Sequence, residues 1–222
     1  MGESSMRKIN QKQVEKEHYD FDNYSNLERF TDYYYQTKII MNFEGKKILN
    51  IGVGDNILTS IIKEYNKFKS NNKKIKFKTF DIDSQLKPDY VGDIYNIDKF
   101  LFKEKFEVVC LFEVLEHFPK KDLNLLLSKI SNITNKYVII SVPSVGITLN
   151  GMIKFPYFKK INYLIKFPIY NKINHKEHFW EIGRKNMKKK EFEKIISNNF
   201  KIKKTFINKV QGSHMFFICE KK

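Results

Sequence analysis
Between Lys47 and Pro143 the chain alternates short apolar runs with segments of helical period. KKILNI fits a strand covered on both faces, and Asn56–Phe68 places Ile57, Ile61, Ile62 and Tyr65 along one helical face. SNNKK then breaks the pattern as a loop, and IKFKTFDID alternates before ending in two aspartates. YVGDI and KFEVVCLF read as the third and fourth strands, Asp122–Ile133 as a leucine-rich helix, and KYVIISVP as a fifth strand closed by Pro143. Sustained alternation leaves few solutions: the strands lie parallel in one sheet and the helices cover both faces. FKIKKTFI and HMFFICEKK, after the helical MKKKEFEKIISNN, are close enough to pair antiparallel. The expectation is an α/β fold: a doubly wound, seven-stranded, mainly parallel sheet with an antiparallel last strand.

The flanks differ in character. Residues 1–42 show apolar positions three and four apart, as expected of lead-in helices. The stretch from Val145 to Gly183 holds two Phe-Pro pairs and many aromatics without a long regular period, which reads as an insertion or cap. With 222 residues the chain fits one domain. Its parts are a lead-in (1–45), a cofactor-binding half (46–143), an insertion or lid (144–183) and a closing helix with a β-hairpin (184–222). GSHM at Gly212–Met215 resembles a cleavage scar but runs straight into an apolar strand, so it reads as native sequence; MGESS is either a leader or native.

No run of about 18 apolar residues exists to span a membrane. The polar first residues do not resemble a secretory signal. Cys110 and Cys219 sit in apolar runs and read as buried reduced thiols, which points to the cytoplasm. The net charge of +16 fits nucleic acid or an anionic acceptor, yet the cations are nearly all lysine, spread along the chain among Asn and Ile. Compositional bias accounts for that pattern without any partner.

KILNIGVGDNIL places Gly52 and Gly54 between a strand and a helix. A dinucleotide loop wants a third glycine where Ile57 stands, and no phosphate-cradling G-x-x-x-x-G-K-[ST] is present. Asn56 occupies a position where a tight turn calls for positive φ. Asp81 ends the second strand, placed to accept both hydroxyls of a ribose, and Asp93 follows the third, placed to read an adenine amine beside the Ile94 amide.

The segments KKILNIGVGDN, FKTFDIDSQLKPDYVGDIYNI, FEVVCLFEVLEHF and KYVIISVPS together resemble a class I S-adenosylmethionine-dependent methyltransferase, from about Lys46 to the C-terminus. HKEHFWEIGRKNMKKKEFEKII and HMFFICEK are similar to a subgroup that decorates small molecules or surface saccharides. The resemblance implies that Gly52 and Gly54 approach the methionine part of the donor and that Asp81 binds the ribose diol. It places Ile82 on the adenine, Asp93 and Ile94 at the adenine edge, and Leu111 and Phe112 on the other side. Two residues depart from the pattern: Asn50 replaces an acid, and Asn56 stands where a third glycine is common. The departure at Asn50 implies either weaker donor binding or a compensating carboxylate for the donor's ammonium, such as Asp55 or Glu113.

On the acceptor side His117 and His178 are the candidate bases, because imidazole titrates near neutrality. Arg29, Tyr33, His175 and Trp180 are candidate acceptor contacts, Arg29 also suiting the donor's carboxylate. His175 and His178 beside Glu177 and Glu181 form a weak metal pattern with no supporting Cys or Asp cluster, so no metal is expected. IKFPYFKKINYLIKFPIY suits a membrane surface or lipid-linked acceptor and, preferably, an ordinary lid. The leading expectation is O-methylation of a small molecule, sugar or phosphate-type group of surface polysaccharide synthesis. RNA methylation and a non-catalytic donor-binding module are the alternatives.

Overall fold
The computed structural model describes Tyr19 and residues 24–101, 103–157, 161–169 and 177–222. Nine strands are described: β1 (Lys47–Ile51), β2 (Lys76–Asp81), β3 (Tyr90–Val91), β4 (Phe106–Phe112), β5 (Thr134–Pro143), β6 (Ile147–Ile153), β7 (Ile161–Phe167), β8 (Phe200–Ile207) and β9 (His214–Lys221). The helices are α1 (Leu27–Ile40), α2 (Ile57–Lys67), the single turn α3 (Ile97–Phe100), α4 (Leu123–Ile133) and α5 (Lys189–Ser197).

Seven strands form one sheet in the order β3-β2-β1-β4-β5-β9-β8. Pairing is parallel from β3 through β5, and β9 runs antiparallel to both of its neighbours. The expected α/β architecture is therefore present, with its antiparallel last strand inserted between β5 and β8. Helices cover both faces because the central strands are apolar on both. In β4, Val109 and Leu111 pack with Leu126, Leu127 and Ile130 of α4 and Phe192 of α5. Val108, Cys110 and Phe112 point the other way, toward Tyr33 and Ile40 of α1 and Leu58 and Ile62 of α2. Cys110 and Cys219 are free and buried.

Helix α1 begins at Asn26, whose side-chain oxygen accepts from the Arg29 amide at 2.8 Å. Its buried face consists of Asp32, Tyr33, Gln36, Ile39 and Ile40, so two polar groups point inward among the apolar ones. Their partners lie at the site described below. The helix is shorter than the 1–42 stretch expected to be helical, and most of the lead-in before Tyr24 lies outside the described residues.

The insertion departs from expectation. It holds a regular antiparallel hairpin, with Ile147 opposite Phe167, Leu149 opposite Ile165, Gly151 opposite Tyr163 and Ile153 opposite Ile161. Residues directly opposite share a face. Ile147, Leu149, Ile153, Ile161, Tyr163, Ile165 and Phe167 are all exposed, so that face is both apolar and solvent-facing. An apolar-out strand lacks the polar contrast by which alternation is read, which is why the stretch looked irregular. On the opposite face, Lys166 donates to the carbonyls of Ser144 and Gly212 and fastens the hairpin to the sheet. No helix among the described residues is long and apolar enough to cross a membrane.

Candidate active site
Strand β1 lies between β2 and β4, so successive crossovers leave it in opposite directions. Ligands of open α/β sheets bind in the crevice that this reversal leaves beyond the carboxyl ends of the strands. A cavity of about 500 Å³ occupies that crevice, within the size range of ligand pockets. Asn50, Gly52, Gly54, Asp81, Ile82, Asp93, Ile94 and Phe112 line it, as do Arg29, Tyr33, His117 and His178 from the acceptor-side set. Leu111 and Trp180 do not. Leu111 is fully buried in the core beneath β4, because strand alternation turns its neighbour Phe112 outward instead. Trp180 is 1% exposed, donates its indole N–H to the Phe118 carbonyl at 3.0 Å and packs against Phe192. It anchors the insertion to the sheet and does not face an acceptor. His175 lies outside the described residues.

The glycine loop is bent as its sequence requires. Gly52 has φ +83°, and a Cβ there would meet Val114 Cγ2 at 2.6 Å, so both conformation and space exclude a side chain. Asn56 has φ +66°, the left-handed conformation, and its side-chain amide donates to the Leu86 carbonyl at 2.8 Å. Asn50 is 2% exposed; its Nδ2 donates to the Gly52 carbonyl at 2.9 Å, while its Oδ1 is buried and has no partner. An aspartate at this position would have no proton to give that carbonyl. The amide therefore does structural work that the acid it replaces would not.

Asp81 accepts from the Val53 amide at 2.7 Å and the Asp83 amide at 2.9 Å, which ties the end of β2 to the glycine loop. Burial raises its carboxyl above the usual range in spite of these donors. Asp93 caps the turn after β3 by accepting from the Tyr95 amide at 2.9 Å, and Ile94 beside it is 5% exposed.

Both carboxylates expected to compensate for Asn50 have partners within the protein. Asp55 accepts from Tyr33 Oη at 2.5 Å. Glu113 pairs with Arg29, whose guanidinium also lies 4.3 Å over the Tyr24 ring. His214 Nε2 is 3.7 Å from Glu113 Oε2, and its Nδ1 is 2.6 Å from Asp32 Oδ2. Asp32 is fully buried and also accepts from Asn208 at 3.1 Å and Gln211 at 3.2 Å. Burial opposes the charge on His214, yet Glu113 and Asp32 outweigh it and lift its pKa to about 9. The same positive neighbours, His214 and Arg29, hold Glu113 below its ordinary value against its burial.

A second cluster lies across the cavity. The turn Leu115–His117 follows β4 and carries Glu116 and His117. The insertion returns alongside it, joined by the Phe179 amide to the Glu116 carbonyl at 2.8 Å. That join brings the His178 ring to 5.1 Å from the His117 ring, edge to face. His117 Nδ1 lies 3.1 Å from the Glu177 carbonyl, which accepts only, so Nδ1 carries the proton. His178 Nδ1 lies 2.9 Å from Glu181 Oε1, and Arg184 Nε donates to Glu181 Oε2 at 2.7 Å. Burial, then His178, push His117 down to about 4. Glu116 is fully buried, no other described residue hydrogen-bonds to its carboxyl oxygens, and burial lifts its pKa to about 8 against the pull of its own amide.

Sequence reasoning passed over Glu116. An acid four residues past an apolar strand, followed directly by histidine, was the available signal. Glu113 adopts φ +57°, uncommon for a non-glycine residue, and nothing in its local sequence announces that.

No protein-family model and no curated protein matches the chain. Solved structures do. A methyltransferase from Archaeoglobus fulgidus that depends on S-adenosylmethionine superposes with a TM-score of 0.56 at 15% identity, over 87% of this chain and 94% of its own. Magnesium protoporphyrin IX methyltransferase from Synechocystis, solved with S-adenosylmethionine bound, gives 0.53 at 14% identity, over 97% and 89%. A methyltransferase of the same dependence from Clostridium acetobutylicum gives 0.52 at 11% identity, over 88% and 92%. The chain has the fold of the class I S-adenosylmethionine-dependent methyltransferases.

The residues present fit that donor. Gly52 and Gly54 leave backbone exposed at the cavity floor, Asp81 offers a carboxylate at the edge of β2, and the Asn50 Oδ1 is an acceptor still without a donor.

Proposed function
We propose that the protein is an S-adenosylmethionine-dependent methyltransferase that methylates a hydroxyl oxygen of a small, polar acceptor. The observation that carries this reading is one continuous cavity with two unlike halves. The glycine loop, Asp81 and Asp93 line one half; Glu116, His117 and His178 line the other.

The donor half binds and orients. Asp81 is the ribose partner, already aimed by the Val53 and Asp83 amides. Ile82 and Phe112 supply apolar surface for the adenine, and Asp93 with the Ile94 amide supplies the acceptor and donor for its edge. Asn50 Oδ1 and the Asp55 carboxylate are the groups available to the ammonium, because Glu113 is neutralised by Arg29 and His214. The donor, when bound, supplies a methyl group on a sulfonium, and the protein's part is alignment and exclusion of water.

The acceptor half suits an O–H group. Imidazole nitrogen and carboxyl oxygen hold a hydroxyl by hydrogen bonds and place its oxygen at the junction of the two halves. Tyr24, Tyr33 and Arg29 wall the cavity on the side of α1 and its approach. The structural neighbours carry the donor fold without fixing an acceptor; the hydroxyl class is read from this side-chain set alone.

Calorimetry with S-adenosylmethionine and S-adenosylhomocysteine tests the donor half, and methyl-labelled donor with a panel of polyhydroxylated acceptors tests the other. The reading requires saturable donor binding and label transferred to oxygen. Absence of binding at about millimolar donor, an affinity of only about −4 kcal/mol, would exclude it.

A further inference from the structure
We propose that Glu116, His117 and His178 form a divalent-cation site that receives the acceptor hydroxyl. The three residues present ligand atoms that all lie within 4.8 Å of one another. Two imidazoles and one carboxylate make a set that leaves coordination positions open for substrate. The inference rests on the proposed methyltransferase reading and deepens its acceptor half.

Three independent features mark the cluster as a ligand set. First, Glu116 is fully buried at the wall of the cavity, and no other described residue hydrogen-bonds to either carboxyl oxygen. A buried carboxyl without a partner is costly, and a cation is the partner that its position lacks. Second, both histidines are oriented from behind as metal ligands are. The Nδ1 of His117 donates to the Glu177 carbonyl, and that of His178 to Glu181, which Arg184 fixes in turn. Such outer contacts select the tautomer that presents Nε2 and set the ring plane. Third, ligands distant in sequence are brought together by hydrogen bonds to the backbone carbonyls of the turn after β4. The Phe179 amide binds the Glu116 carbonyl at 2.8 Å, and the Trp180 indole binds the Phe118 carbonyl at 3.0 Å.

The sequence pattern considered for a metal joined His178 to His175. The structure joins His178 to Glu116 and His117 instead, which stand about sixty residues before it in the sequence. The other acid–histidine group, Asp32, Glu113 and His214, meets the same distance criterion. There, however, Asn208, Gln211 and Arg29 already satisfy the carboxylates, so that group reads as an internal ion cluster.

A cation at this site makes a separate general base unnecessary. The acceptor hydroxyl binds the ion, its O–H bond weakens, and the proton passes to water. The oxygen then forms a C–O bond with the donor's methyl carbon while the C–S bond breaks. The bonding pair stays on sulfur, converting sulfonium to thioether. A second hydroxyl on a neighbouring acceptor carbon could fill another open position, so the site favours acceptors bearing vicinal hydroxyls.

The test uses full-length, metal-stripped protein without donor or acceptor, titrated with Co²⁺ and followed by its visible bands and by calorimetry. A single saturable site is expected. His178→Ala should weaken it by about a hundredfold, and Glu181→Gln, which reaches the site through His178, by about tenfold. Glu116→Gln preserves shape and guards against misfolding, and it should also lose at least about tenfold. Melting curves and donor affinity of each variant report whether it folds. No Co²⁺ binding by the wild-type protein at about millimolar ion overturns the site. So does unchanged affinity in folded Glu116→Gln and His178→Ala. Asp81→Ala separates the two proposals: it should lose donor affinity and keep Co²⁺. Donor binding without Co²⁺ binding sinks only the cation site, and Co²⁺ binding without donor binding sinks only the methyltransferase reading.

Discussion

Asn50 shows how a single side chain redirects the reading of a site. As a sequence letter it is a lost charge. In the fold it is a donor to the Gly52 carbonyl that holds the glycine loop in its bend. Asn50→Asp would set a carboxylate against that carbonyl at a position 2% exposed. The expected outcome is a loss of about 1–3 kcal/mol in the apoprotein, read by urea denaturation. Unchanged stability would mean that the loop holds its shape without this bond. Asp81 makes the complementary case, since its carboxylate serves the loop and, on the proposed reading, the ribose. Asp81→Ala is expected to weaken donor binding by at least about tenfold, or about 1.4 kcal/mol, in a calorimetric titration. Wild-type affinity would move the ribose site elsewhere. Asp81 and Asp93 were legible because each ends a strand whose period is plain. Glu116 was not, since its significance comes from what fails to reach it: no other described residue donates to its oxygens.

Among the elements, the central strands could be read directly because fully covered strands are apolar without interruption, as ILNI and VVCLF are. The β6–β7 hairpin could not, because its apolar residues face solvent and its lysine faces the sheet. That inversion has a measurable consequence. Leu149 is 57% exposed and Ile165, directly opposite, is 50% exposed, so neither contributes much burial to the folded monomer. Leu149→Ser together with Ile165→Ser is expected to change stability by less than about 1 kcal/mol, twice the usual bound for one surface position. A clearly larger loss in a melting experiment would show that the face is covered in solution. Trp180 illustrates the same difficulty from the other side. Its place in the insertion suited packing and a ligand platform equally, and tertiary packing against Phe192 with one hydrogen bond makes it the rivet of the insertion.

At the scale of the whole molecule, α1, the turn after β4 and the last strand meet at one ion cluster, and its titration should be visible in global stability. His214 faces Asp32 from α1, Glu113 and through it Arg29, Glu116 from the turn after β4, and Asn208, Gln211 and Ser213 from its own hairpin. Its folded pKa is about 9 against 6.5 for a free imidazole. Below pH 6.5 both states are protonated, and the full stabilisation is present. Between 6.5 and 9 the folded protein keeps a proton that the unfolded chain releases, so stability falls as pH rises and this contribution is gone above 9. Two other groups titrate nearby with their own slopes. Glu116, raised to about 8, adds to the fall, and Lys166, lowered by burial to about 8, opposes it at higher pH. The difference between wild type and His214→Asn removes both to first order. That difference should be largest near pH 6.5, shrink steadily toward pH 9 and vanish beyond it, in urea denaturation of metal-stripped protein. A difference independent of pH would mean that His214 joins α1 to β9 as a neutral hydrogen-bonding ring. The lead-in helix would then be held by Asn208 and Gln211 on Asp32, and its closure over the cavity would not follow pH.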